Sequence, residues 1–195
     1  EAIAAEIDAV HLVDHHGELL DAEQMQQIAV AAGLVAHAFE RLDDRGFDDR
    51  TTGFLRAKVG APVELGQVVH GRRRIVPIEG GTIKGPLLNG TVPVGGADWQ
   101  IIQQHGFTEL DTRYTIKTEQ GALVYVQNPG IRTAPPDVMQ KLLAGQTVDP
   151  KLVYFRTQPK FETSAPELQW LVKSVFVGVG ERYPTEVVIK FFKVE

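Results

Sequence analysis

Two hydrophobic periodicities divide this chain near residue 50. Upstream, Met25, Ile28, Ala32, Val35, Phe39 and Leu42 recur at alternating spacings of three and four, which gathers them on one stripe of a helix. Asp21 with Gln24 makes a capping-box pattern at the start and Gly46 a stop after Arg45, so the spacing predicts a helix over about 22–45. Ile3, Ile7 and Val10 form a weaker stripe that Gly17 ends, and the two together predict an α-helical hairpin over 1–50. A lone hairpin cannot bury its own stripe, so it is expected to pack on the rest of the chain or on a second copy.

From Thr51 onward, short apolar runs are cut by turn residues. Strands are predicted at 52–59, 63–69, 73–79, 86–93, 98–103, 107–118, 122–128, 152–163, 168–180 and 185–194, with one short helix near 135–144. So many short antiparallel strands imply a sandwich or a barrel. The long final pair, WLVKSVFVGVGERY and TEVVIKFFKVE, reads as the closing strands of a meander and favours a barrel over 51–195, since closure removes exposed edges. The expected fold is therefore mainly β: an antiparallel β-barrel with an N-terminal α-helical hairpin.

Composition removes several classes of function. A formal charge of −5 disfavours a nucleic-acid partner, Arg72, Arg73 and Arg74 being the local exception. The absence of cysteine rules out disulfides and thiolate metal sites. Ile28 to Phe39, the longest apolar stretch, is shorter than the roughly 20 residues that a bilayer-spanning helix needs. The chain opens on Glu1 rather than Met, which leaves open a removed signal peptide, and with it a cytoplasmic or a periplasmic setting. His11 and His15 stand at i, i+4, but without the Glu of a metalloprotease motif they read as surface histidines near a helix end. No metal and no cofactor is expected: the nucleophile elbow, the P-loop and the Rossmann fingerprint are all missing.

In TELDTRYTIKT, period two puts Leu110, Thr112, Tyr114 and Ile116 on one face and Asp111, Arg113, Thr115 and Lys117 on the other. In VYFRTQ, Tyr154, Arg156 and Gln158 share a face opposite Val153, Phe155 and Thr157. Charged faces mostly meet solvent. Yet Asp98 with Trp99, Arg113 with Tyr114, and Tyr154 with Arg156 repeat an aromatic-plus-charged pairing of the kind that lines ligand-holding barrels.

The segments GRRRIVPIEGGTIKGP, GGADWQ, LDTRYTIKT, YVQNPGIR, YFRTQPKFET and WLVKSVFVG, in order from about Val63 to the C-terminus, resemble the family known as domain of unknown function 3237. The resemblance implies a compact antiparallel β-barrel, often oligomeric, with no established common activity. The N-terminal hairpin departs from the family's short lead-in strand. Carried over by position, the family's polar pattern falls on Arg74, Asp98, Trp99, Asp111, Arg113, Tyr114, Asn128, Arg132, Tyr154, Arg156, Glu162 and Trp170. Structural roles compete: Asp98 in a GGADW turn could cap backbone N–H groups, and Trp170 could be core.

Carboxylates, arginines and tyrosines without a cofactor suit proton abstraction with stabilisation of the resulting oxyanion. Asp98 is the candidate base, and Arg113, Tyr154 and Arg156 are the candidate anion-holding groups; Asp111, two residues from Arg113 on one strand face, reads as an orienting partner. Arg74, Trp99, Asp111, Tyr114, Asn128, Arg132, Glu162 and Trp170 are candidate substrate contacts. The expected function is a cofactor-independent lyase or isomerase on a small aromatic or oxygenated metabolite. The alternatives are a small-molecule binding protein without catalysis and an assembly module. The expected partners are a small molecule and a second copy of the chain, met through the N-terminal helices or the barrel faces.

Overall fold

The computed structural model describes residues 51–103 and 106–194. The helical hairpin expected over 1–50, with any contact it makes, lies outside the described residues. The strands are β1 (Thr51–Val59), β2 (Val63–Val68), β3 (Gly71–Lys84), β4 (Gly90–Val92), β5 (Gly96–Ile102), β6 (Phe107–Thr118), β7 (Leu123–Thr133), β8 (Tyr154–Thr157), β9 (Lys160–Glu162), β10 (Phe176–Arg182) and β11 (Glu186–Lys193). A helix, α1 (Pro136–Leu143), follows β7.

Eight of the strands form a closed antiparallel ring in the order β6-β5-β3-β1-β11-β10-β8-β7, with β7 pairing back onto β6. The last strand of the chain thus lies beside the first described one, with Leu55 opposite Ile189. The three remaining strands extend the wall: β2 and β4 pair with β3, and β9 with β7. The long strand β3 serves two neighbours because it bends. Its first half pairs with β5 as far as Ile78 opposite Gly96, and its second half pairs with β4 from Gly81 opposite Val92. Between them Gly80 sits at φ +129°, and a Cβ on Gly81 would run into the Arg56 carbonyl oxygen. Only glycine tolerates both demands, and the irregularity between Lys58 and Val59 on β1 marks the bulge that turns the barrel's corner.

Three expectations are corrected. The single strand at 152–163 is split into β8 and β9 by Gln158 and Pro159, since proline has no N–H for a ladder. The strand at 168–180 begins only at Phe176; Pro166 at the first helical position starts a 3-10 turn that runs into a helical turn over Gln169–Val172. Asp98 caps no turn, because it lies within β5.

The core has two apolar clusters. One centres on the fully buried Leu55, Ile83, Ile116, Val124, Val126 and Phe191, where Phe161 meets Phe176 edge to face at 4.9 Å. Each such side chain removed from water contributes about 2–3 kcal/mol. In the other cluster, α1 lays Val138, Met139 and Leu142 against Leu110, Val153 and Phe155.

Candidate active site in the barrel lumen

A small cavity that opens to solvent lies within the ring, and all eight ring strands contribute to its wall. Along each strand the lining residues keep one parity: Leu55, Ala57 and Val59 on β1, Asp98 and Gln100 on β5, Thr112 and Tyr114 on β6, Val187 and Ile189 on β11. Single residues complete the wall from β7, β8 and β10, namely Arg132, Phe155 and Arg182. Most of the wall is apolar, and the polar groups gather on one side of it.

Asp98 is the centre of that polar side. As a residue it keeps some exposure, but its Oδ1 is shut off from solvent and has no hydrogen-bond partner among the described residues. Its Oδ2 accepts a short hydrogen bond from Gln100 Nε2. Gln100 in turn accepts from Arg74 Nε at 2.8 Å, so a chain of three side chains runs Arg74, Gln100, Asp98. Burial pushes the Asp98 carboxyl above its ordinary range, against the opposing pull of the Gln100 amide, the Thr112 hydroxyl and the charges of Arg132 and Arg74.

Arg132 is 2% exposed, with its guanidinium 6.0 Å from the centre of the Phe155 ring. No hydrogen bond or carboxylate partner is made by it among the described residues, and its Nε is buried without an acceptor. Burial, and then the like charge of Arg74, lower its pKa to about 10 despite the favourable pull of Asp98. Arg182, half-buried, donates to the carbonyl oxygens of Glu186 at 3.3 Å and Pro184 at 3.2 Å, which ties it to the β10–β11 turn. The Tyr114 hydroxyl is buried with no partner, and burial raises its pKa strongly. Asn128, fully buried and opposite Thr112 in the β6–β7 register, leaves both side-chain polar atoms unpartnered. Buried polar atoms in folded proteins normally find partners, so this concentration of unpartnered ones marks a polar site.

The candidates from the sequence therefore divide between the two sides of the wall. Asp98, Tyr114 and Arg132 line the lumen; Arg74 and Asn128 are buried beside it. Arg113 and Asp111 lie on the outer face as an exposed ion pair at 2.9 Å. Tyr154 is 45% exposed, and Arg156 stacks outward over its ring at 4.8 Å while donating to the Phe155 carbonyl oxygen. Asp98 therefore does not share a cavity with Arg113, Tyr154 or Arg156. Glu162 is exposed on β9, Trp99 falls on the outward parity of β5, and Trp170 packs at the edge of the larger apolar cluster, 6.0 Å from Phe176.

Gln100, Thr112, Phe155 and Arg182 were not among those candidates, although a signal existed for two of them. In GADWQII period two puts Gln100 on the face of Asp98, and in VGVGER it puts Arg182 on the face of Gly178 and Gly180. Gly180 matters here because the Phe155 ring lies over it; a Cβ there would come within 2.6 Å of ring carbons. Among the described residues no cluster of His, Asp and Glu could hold a metal ion, and no helix is long and apolar enough to cross a membrane.

The chain is similar to curated proteins and to solved structures from several organisms. A UPF0311 protein of Rhodopseudomonas palustris strain TIE-1 is 45% identical over 140 residues, 72% of this chain and 92% of that one. A crystal structure of a conserved R. palustris protein of unknown function matches with a TM-score of 0.72 at 41% identity, covering 78% of this chain and 99% of that one. A barrel-like protein of Acinetobacter baumannii AYE matches at 0.67 and 35%, covering 80% and 100%. The crystal structure of an enzyme from Penicillium herquei, 19% identical with a TM-score of 0.50 and covering 77% and 99%, shares the fold alone. The model for proteins of unknown function of the DUF3237 type matches residues 51–194, the whole of the barrel, and the chain belongs to that family.

Proposed function

We propose that the barrel is a cofactor-independent acid–base enzyme, a lyase or isomerase, acting on a small oxygenated or aromatic metabolite held in the lumen. The observation that carries this reading is the Asp98 carboxyl: Oδ2 is held by Gln100, while Oδ1 is buried and free of partners beside a cavity also lined by Arg132 and Tyr114. A carboxyl with its pKa raised by burial exchanges protons more readily near neutral pH than an exposed one.

Asp98 Oδ1 takes the proton from a carbon next to a carbonyl. The C–H electron pair moves into the new C–C double bond, and the carbonyl electrons move onto oxygen. The Tyr114 hydroxyl, buried and without a partner among the described residues, stabilises that oxyanion. Returning the proton to another carbon completes an isomerisation; expelling a β-leaving group completes an elimination. The P. herquei protein that shares this fold is called an enzyme.

Hydrogen–deuterium exchange at carbons next to a carbonyl, followed by NMR for a panel of aryl ketones and lactones in D₂O, tests the reading. The protein is expected to accelerate exchange, and Asp98→Asn to lose about 10²–10⁴-fold of that acceleration. Equal exchange by both proteins overturns it. A ligand that binds tightly and is returned without exchange or change of mass identifies a binding protein instead.

A further inference from the structure

The lumen carries an excess of positive charge. Arg132 and Arg182 line it, Arg74 stands behind Gln100, and Asp98 is the one acidic side chain on the wall. The three arginines sense one another: Arg74 lowers the pKa of both Arg132 and Arg182. Glu64 draws on Arg74 but is already paired with Arg72, and the other ion pairs among the described residues join Arg56 to Glu186, Lys84 to Glu119 and Arg113 to Asp111. For Arg132 and Arg182 the acidic group that acts on them is Asp98.

Two of the three guanidiniums are already engaged, Arg74 by Gln100 and Arg182 by the carbonyl oxygens of its own turn. Arg132 is not. It is a buried cation facing a cavity with no acceptor for its donors among the described residues. A buried charge in that state is costly unless an opposite charge meets it.

Resting on the lumen being the ligand site, we infer that its ligand is an organic carboxylate with an apolar body, its carboxylate on Arg132 and its body against Leu55, Ile78, Phe155 and Ile189. A planar carboxylate matches the fork of one guanidinium in two parallel hydrogen bonds. A phosphate group fits less well: its further oxygens and second charge call for additional cationic donors, and Arg74 and Arg182 are already engaged by Gln100 and by turn carbonyl oxygens. The walls beyond Arg132 are aliphatic and aromatic and suit the rest of such a molecule.

Isothermal titration with naphthoate, naphthamide, naphthyl phosphate and naphthylmethylammonium near neutral pH tests the inference, because the four share one apolar body and differ in charge. Naphthoate is expected to bind at least about tenfold more tightly than the amide and more tightly than the phosphate, with the ammonium weakest. Arg132→Gln is expected to bring naphthoate down to the amide level. Asp98→Asn separates this inference from the proton-transfer reading, since it should abolish exchange while retaining the preference for naphthoate. Equal binding of naphthoate and naphthamide, tighter binding of the phosphate or ammonium probe, or no binding of any probe overturns the inference; none of these outcomes bears on exchange at Asp98.

Discussion

Arg74 and Gln100 face each other as a register pair of β3 and β5, and the guanidinium Nε donates to the amide oxygen at 2.8 Å. Through the same amide, Gln100 reaches Asp98 two residues away on its own strand. One neutral side chain thus orients a carboxyl whose other oxygen is free, and does so from a strand, which holds geometry better than a loop.

Gln100→Leu removes the acceptor of Arg74 and the donor to Asp98 at nearly constant volume. Hydrogen bonds to charged groups are worth about 1.5–3 kcal/mol, so urea denaturation should show a loss of about 3 kcal/mol. The exchange activity should fall as well, with its pH profile moved upward because Asp98 loses a stabilising donor.

Asp98→Asn should change the pH dependence of stability in a defined direction. The folded carboxyl titrates above its ordinary 3.8, so between that pH and the raised value the native state holds a proton that the unfolded state has released. Stability contributed by this group is present at low pH and is lost as pH rises through the window. Subtracting the urea-derived stability curve of Asp98→Asn from that of the parent should give a line that falls with pH; a flat difference removes the assignment of a buried, upshifted carboxyl.

Tyr114→Phe deletes a buried hydroxyl that has no partner. Folding stability should stay level or rise by about 1 kcal/mol, whereas acceleration of exchange should drop about a hundredfold if the hydroxyl donates to the oxyanion. Opposite signs in two assays on one variant separate a catalytic donor from a packing residue.

Gly81→Ala should lower stability by about 2–3 kcal/mol in thermal denaturation, because the added Cβ meets the Arg56 carbonyl oxygen across the β1–β3 ladder. The bend that lets β3 change partners is then strained.

Arg113→Ala should leave both exchange and stability indistinguishable from the parent. Its guanidinium pairs with Asp111 on the outer face, where solvent screens the pair. A loss of exchange in this variant would return the outer face to consideration as the site.

Several elements were legible because their signals are local. The strand at 107–118 was read to the residue and the helix at 135–144 nearly so: alternation marks the one, and Pro136 with the apolar spacing of Val138, Met139 and Leu142 marks the other. The region around Trp170 misled, since WLVKSVFVGVG is apolar enough for one strand, while Pro166 and the Gln169 amide bonds to the Thr163 and Ala165 carbonyl oxygens hold its first part in a turn. The candidate residues were recognisable in type but not in place: Arg113 and Tyr114 are chain neighbours on opposite sides of the wall.

By itself, the sequence determined most of the strands, the alternation along each and the family of the barrel, all of which depend on neighbours in the chain. Only the tertiary structure decided which face of each strand is the lumen. A strand of period two offers two faces without saying which becomes concave; that choice is made by pairings between distant segments, β1 with β11 and β7 with both β6 and β8, and by the bulge between Ile78 and Gly80 that curves the sheet. Closure in that sense put Asp98 and Arg132 around one cavity and left Arg113, Tyr154 and Arg156 in solvent contact.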